Sequence, residues 1–462
     1  MEAVQPQVVH IPVRCAFKKA PCPTCGKNGR RKKVLHRQVR TIAYHQVAYL
    51  DITYGEYAAR CACCRYFRNA PPGVAPKAEY DNRVRQAVLD RILEDAMSIE
   101  GVLKAMRRDF LLELSTGFVY DCLHAAVDRL DMASHRRQVL ERFSGTLCVD
   151  ELHLGRYTLL LATDPLADLP VAFALVQTND KAHMERFLKN LQAWGLLPRV
   201  VVTDGSNLYP EVLARLWPQA AHQLCVFHVL KDINDKVLDE VRRARNAFAR
   251  RGRGGRRRRG RRSKRQQARR RGPSHKEKAK FFFKRRHLIV KRRQHLSARE
   301  ARDLRQMFEY LPALQTLWQF AHAVYQLLAP RQSPHRAWCL RAALLKNPTY
   351  QEYPGLVEAL AMLEATKFAK MIAFLKCPVR RRVRTNNHVE RANRKLRYFE
   401  KVRYKWRRRR TLVRFLVLAL DHWWRGAWQK ASVAQAPPKA RPKTRPRRAP
   451  RKNRGRPRKK PP

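Results

Sequence analysis

Residues 146–176 read TLCVDELHLGRYTLLLATDPLADLPVAFALV. The apolar runs at 146–150, 157–162 and 170–176 are separated by short turns, the pattern of consecutive strands. Beyond them the spacing predicts a helix over 184–194 and a strand over 199–204 that ends in Asp204. A helix over 206–216 and a strand over 223–227 follow. Three strands close in sequence, then alternating helix and strand, make an α/β sheet.

That succession is the order of a ribonuclease-H-like mixed sheet, and the expected fold class is α/β on that plan. Upstream, 15–75 reads as short β segments around cysteine pairs, closed by Pro71, Pro72 and Gly73. Val84, Val88, Ile92 and Leu93 recur at helical spacing, and a second such pattern runs through Val102, Met106 and Phe110. Ser115 and Thr116 cap a third helix carrying Val119, Leu123 and Val127. Short helices joined in this way suggest a helix-turn-helix, with generic helical packing as the equal alternative. Residues 229–375 read as helical, interrupted by RGRGGRRRRG at 251–260, a stretch that cannot pack and is expected to be disordered when free. A last helix is expected over 411–428. The expected division is a cysteine-rich zinc-binding domain at 1–75 and a helix-turn-helix-like domain at 76–137. The sheet core follows at 138–236, a helical insertion at 237–375, the closing part of the core at 376–430 and a disordered basic tail at 431–462.

Lys and Arg number 99 against 37 Asp and Glu, a net charge of +62 on 462 residues. Residues 241–295 carry +25, 376–410 carry +14 and 431–462 carry +13, together +52, so the basicity is local. Such charge repels itself unless a polyanion neutralises it, and counterion release makes nucleic acid the favoured partner over a membrane surface. No apolar run reaches about 20 residues, so no membrane span is expected. Residues 1–12 lack a charged start followed by an apolar core, so no secretory signal is expected either. The 11 cysteines are odd in number and unevenly spread, which fits a reducing compartment and a metal site better than a disulfide framework.

The cysteine clusters have ligand spacing. Cys22 and Cys25, followed by Gly26, can reach one zinc, and Cys61 and Cys64 repeat the interval. Four thiolates suit a tetrahedral structural site; the alternatives are a set of reduced cysteines, or one pair completed by His36 or His45, and Cys15 and Cys63 stay unassigned. Asp150, followed by Glu151, and Asp204 each end a strand, which sets a carboxylate on the rim of the sheet. Asp204 also reads as a cap for the next helix. Glu390, inside the +14 segment, is either an i,i+4 partner of Arg394 or a third carboxylate beside phosphate-binding bases.

Strand-Asp150, Val-Thr-Asp204 before a helix, Phe227-His228, and Asn386-Asn387-x-x-Glu390 together resemble the ISL-three family of bacterial insertion-sequence transposases. The resemblance spans about 15–428. It implies an N-terminal zinc segment (Cys22, Cys25, Cys61, Cys64), a helix-turn-helix, and a ribonuclease-H-like core with Asp150, Asp204 and Glu390 as the catalytic carboxylates. Phosphoryl transfer by Mg²⁺ or Mn²⁺ on double-stranded DNA is implied, on terminal inverted repeats and target DNA, by a homo-oligomer in the bacterial cytoplasm at the nucleoid. His228 and Glu151 are auxiliary candidates; Arg391, Arg394, Lys395 and Arg397 are DNA-binding candidates. Cys225 stands where the family commonly has Asp, and the Arg/Gly run and basic tail are not part of the family pattern.

The tail contains Arg454-Gly455-Arg456-Pro457, similar to a minor-groove AT-hook. Tyr398, Phe399, Tyr404 and Trp406 lie among Lys395, Arg397, Lys401, Arg403 and Lys405, a mixture that suits backbone tracking with base stacking, although core packing is expected for at least half of the aromatics. A non-catalytic DNA-binding protein derived from a transposase is the alternative function.

Overall fold

The computed structural model describes residues 6–69, 71–251, 273–402 and 408–435. The Arg/Gly run at 252–272, the tail motif with Arg454 and Arg456, and Arg403, Tyr404, Lys405 and Trp406 lie outside the described residues.

The first sheet holds β1 (Val8–Arg14), β2 (Lys19–Pro21), β3 (Asn28–Thr41), β4 (Val47–Ala58) and β5 (Tyr66–Arg68), in the order β1-β4-β3-β2 with β5 on β4. Short segments were expected here, yet β3 and β4 are 14 and 12 residues long. Alternation explains it: Ala48, Leu50 and Ile52 are buried every second residue, and one short turn around His45 joins β3 to β4. Four helices follow: α1 (Asn82–Leu93), α2 (Ile99–Phe110), α3 (Thr116–Asp128) and α4 (Met132–Arg142). Asp81, Ser98, Ser115 and Asp131 cap them through side-chain oxygens. Val84, Val88, Ile92, Val102, Met106, Val119 and Leu123 form the shared core of the first three, while Val139 of α4 packs against the second sheet.

The second sheet holds β6 (Thr146–Leu154), β7 (Tyr157–Asp164), β8 (Leu169–Val176), β9 (Val200–Thr203) and β10 (Ala221–Leu224), ordered β10-β9-β6-β7-β8. β6, β7 and β8 form an antiparallel meander; β9 joins β6 in parallel and β10 joins β9 in parallel. Helices α5 (Lys181–Ala193) and α6 (Pro210–Leu216) supply the crossovers and pack on one face against Leu147, Val149 and Leu160. β6 outruns the expected strand because residues 151–154 continue the ladder as far as Leu154↔Tyr157, closed by Gly155 at φ 59° and Arg156. The chain expected as strand to Phe227 instead enters a helix at Val226, since Val226, Val229, Ile233, Val237 and Val241 repeat every three or four residues and are buried.

That helix, α7 (Val226–Arg251), opens a helical block with its own core. The block continues through α8 (His275–Arg285), α9 (Ala298–Tyr310), α10 (Ala313–Leu327), α11 (Pro334–Lys346), α12 (Pro348–Gln351), α13 (Pro354–Ala361) and α14 (Ala365–Met371). The chain then returns to the sheet with α15 (Asn387–Val402) and α16 (Arg409–Gln435), whose Val389, Ala392, Leu396, Leu412 and Leu416 cover the face opposite α5.

Gln223 on β10 ties the block to the sheet. Its amide donates to Met371 O at 2.9 Å and accepts from Phe374 N at 2.7 Å, all buried. Gln223→Leu is expected to lower the melting temperature, because two buried backbone groups lose their partner at about 1–3 kcal/mol each. An unchanged thermal melt would contradict this.

Candidate active site

The register of three parallel strands builds the site. β9 pairs with β6 as Cys148↔Val202, and β10 pairs with β9 as Thr203↔Leu224. Extending the first pairing by two residues and the second by one sets Asp150, Asp204 and Cys225 in one row, just past the ends of β9 and β10. Asp150 is therefore internal to β6 and not at its end as expected; it reaches the rim because its neighbour strand has stopped. Alternation sorts the side chains. Cys148, Leu152 and Leu154 face α15 and α16, so Asp150 does too, whereas Glu151 faces α6 with Leu147 and Val149.

One oxygen from each of Asp150, Glu151 and Asp204 lies within 4.8 Å of the others. Asn393 Nδ2 of α15 donates to Asp150 Oδ2 at 2.8 Å, and the buried Tyr209 hydroxyl donates to Glu151 Oε1 at 2.7 Å. Asp204 Oδ1 accepts from Ser206 N at 3.0 Å, so its capping role is met by a turn, while α6 waits for Pro210. Neither Asn393 nor Tyr209 stood out in the sequence. Asn393 had a signal, since it lies three residues after Glu390 on one helix face; Tyr209 had none.

Glu390 sits in the first turn of α15 and joins a second group. One ligand-type atom from each of Cys225, His228 and Glu390 lies within 4.8 Å of the others, and Glu390 Oε1 is 3.8 Å from His228 Nε2. Among the described residues, His228 is thus the ion-pair partner of Glu390, and not Arg394. His228 stands in the first turn of α7, where a strand end was expected. The start of α15 is clamped to the sheet: Asn386 Nδ2 donates to Val149 O at 3.0 Å, and His388 bridges Thr163 Oγ1 and Asp168 Oδ1, each at 2.9 Å.

Burial first, then the charges of Glu151 and Asp204, push the Asp150 carboxyl from 3.8 up to about 7, and Glu390 adds to the rise. Burial likewise raises Glu151 against the opposing Tyr209 hydrogen bond. The neighbouring Cys225 sulfur lifts His228 to about 9 against its own burial, with Glu390 and Asp204 assisting. Buried Glu390 Oε1, Asn393 Oδ1 and Asn386 Oδ1 have no hydrogen-bond partner. Crowded hard oxygens with unmet polar atoms fit a divalent cation.

The N-terminal cysteines converge separately. Cys22 follows β2, and Gly26 at φ 73° lets the chain turn so that Gly26 N donates to Cys22 O at 2.9 Å. Cys22, Cys25, Cys61 and Cys63 can bring their sulfurs within 4.8 Å of one another, and Cys64 Sγ is 3.8 Å from Cys22 Sγ. The spacing had left Cys63 aside; the fold gathers all five thiols. Backbone N–H groups of Cys25 and Thr24 lower Cys22 to about 6, the thiolate form that zinc takes. His36 hydrogen-bonds Thr53 and His45 donates its backbone N–H to Asp109 O, outside the cluster. On α15, Arg391, Arg394, Lys395 and Arg397 are exposed, while Ala392 and Leu396 pack inward. Tyr398 is exposed beside them and Phe399 packs against Phe415.

Residues 147–413 match a family model described as Transposase, the DDE type named ISL-three. No curated protein matches the chain. No helix among the described residues is long and apolar enough to cross a membrane.

A carboxyl with a raised folded-state pKa stabilises the fold below its ordinary value and loses that contribution as pH rises through the raised one. Cation-free protein is therefore expected to lose stability as pH climbs from 3.8 to about 7. Mn²⁺ should raise the melting temperature mainly at about pH 8 and little at about pH 5.5, where the proton competes for Asp150. Equal stabilisation at both would count against Asp150 as a ligand.

Proposed function

The chain belongs to the ISL-three family of transposases, and from that premise we propose that it cleaves DNA at the ends of an insertion sequence and joins them to target DNA, using Asp150, Asp204 and Glu390. The observation that carries this reading is the half-buried cluster of Asp150 and Glu151 from β6 with Asp204 from the end of β9, whose Asp150 also feels the charge of Glu390 on α15, far away in sequence. Asp150, Asp204 and Glu390, with Glu151 alongside, would hold Mg²⁺ or Mn²⁺, whose chemistry is to make a nucleophile of water or a 3′-hydroxyl and to stabilise the leaving oxygen. A hydrogen bond from Asn393 holds the Asp150 carboxylate in place, and one from Tyr209 holds that of Glu151. The His388 bridge to Thr163 and Asp168 fixes the first turn of α15 and hence Glu390. Exposed Arg391, Arg394, Lys395 and Arg397 lie on the same helix, suited to gripping phosphates next to the bond to be cut.

The ribonuclease-H-like reading of the core is supported by the order β10-β9-β6-β7-β8, an antiparallel meander extended by two parallel strands. The division at 75, 137, 236, 375 and 430 belongs to the same reading, with the capped helices α1 to α3 as the proposed helix-turn-helix. Cys22, Cys25 and Cys61 would hold a structural zinc together with Cys63 or Cys64. A non-catalytic DNA-binding descendant is not favoured, because such a protein has no need to keep these carboxylates coupled. Assembly on paired DNA ends is part of the proposal.

Asp150→Asn, Asp204→Asn and Glu390→Gln are each expected to cut Mg²⁺-dependent cleavage of terminal inverted-repeat DNA by roughly a hundredfold or more, the loss of a direct ligand exceeding that of a supporting group. Binding in a gel-shift assay should persist. Cleavage surviving any one change would remove that residue from the site. Atomic emission should find about one zinc fewer in full-length protein carrying Cys22→Ser and Cys25→Ser than in wild type; a folded, zinc-free wild-type protein would refute the cluster's role.

A further inference from the structure

Cys225 is the third member of the row that begins with Asp150 and Asp204, yet it brings sulfur to an otherwise oxygen-lined rim. It is fully buried, and its sulfur accepts the Asn386 backbone N–H at 3.2 Å. Three residues further on, in the first turn of α7, His228 stands on the same side, and Glu390 closes the group from α15. Sulfur, nitrogen and oxygen atoms gathered within 4.8 Å have the mutual spacing of ligands around one tetrahedral ion. His228 Nδ1 and Glu390 Oε1 are buried without hydrogen-bond partners, as is Oδ1 of Asn386, whose backbone meets the sulfur. Neither simple packing nor the Glu390–His228 ion pair at 3.8 Å satisfies these atoms.

We propose that Cys225, His228 and Glu390 form a separate site for a thiophilic cation of the zinc class, sharing Glu390 with the Mg²⁺-dependent centre. A thiolate and an imidazole select zinc or cadmium over magnesium, which keeps to oxygen ligands. Glu390 cannot serve both ions in full, so zinc here holds the cutting centre off. The regulatory half of this inference rests on the proposed role of Glu390; the binding half does not.

The test uses full-length protein and Cd²⁺ as probe, read through cadmium–thiolate ultraviolet absorption, together with zinc counted by atomic emission. Wild type should bind about two zinc ions, one at the N-terminal cluster, and Cys225→Ser about one, with a matching loss of cadmium absorption. His228→Gln, which keeps the thiol, should weaken cadmium binding at this position by about tenfold or more; circular dichroism confirms that both variants fold. Zinc should inhibit Mg²⁺-supported cleavage by wild type, and about tenfold more should be needed for Cys225→Ser. Identical stoichiometry and cadmium absorption in wild type and Cys225→Ser would overturn the proposal, whatever the cleavage result. If wild type cuts no DNA with Mg²⁺ but the cadmium difference remains, the cation site stands and the Asp-Asp-Glu reading falls.

Discussion

The parallel pairing of β9 with β6 is the constraint on which the rest of the site depends. It has only three register pairs, Thr146↔Val200 to Cys148↔Val202, yet it decides that Asp150 and Asp204 end side by side. Setting two carboxylates together beside a third, Glu151, in a buried setting costs free energy through desolvation and repulsion, visible in the rise of Asp150 to about 7. The ladder can impose this because the paired stretch is buried and mostly apolar: Val200, Val201 and Val202 are buried, as are Leu147, Cys148 and Val149. Hydrogen bonds from Asn393 and Tyr209 offset part of the cost and fix the direction in which each carboxylate points.

What the sheet starts, α15 completes from the far side of the helical block. Its apolar stripe of Val389, Ala392 and Leu396 presses on the same face of β6 that carries Asp150, and Asn386 reaches across to Val149 O. Gln223 holds the other end of the connection, joining β10 to the chain at Met371 and Phe374. Packing and chemistry are thus carried by alternate positions of the same helix: buried residues set its height above the sheet, and the next positions deliver Glu390 and the exposed arginines.

Much of this was legible in the sequence because it is written in local periodicity. The strand runs, the helical spacing from Val84 to Leu123 and the capping role of Ser115 all rest on neighbours within a few residues. The positions of Asp150 and Asp204 near strand ends singled them out, although Asp150 proved internal to a longer β6. Register was not legible, since it depends on which strands meet. For that reason Cys225 read as a departure and not as a member of a row, and the boundary at Val226 was misjudged. The partnership of Asn393 with Asp150 spans 243 positions and has no local trace. The cysteine spacing pointed to Cys64, but the fold also draws in Cys63, because the turn between β4 and β5 presents both thiols to Cys22 and Cys25.

The helical block has one more consequence, in the order of events during synthesis. Both aspartates leave the ribosome well before Glu390, with the whole block, from α7 to α14, still to be made between them. A nascent or prematurely ended polypeptide can form the meander and its two parallel strands, and so expose Asp150 and Asp204, while lacking the helix that brings the last carboxylate. On the proposed chemistry such a fragment is inert, and the capacity to break DNA is withheld until translation has passed the far end of the block.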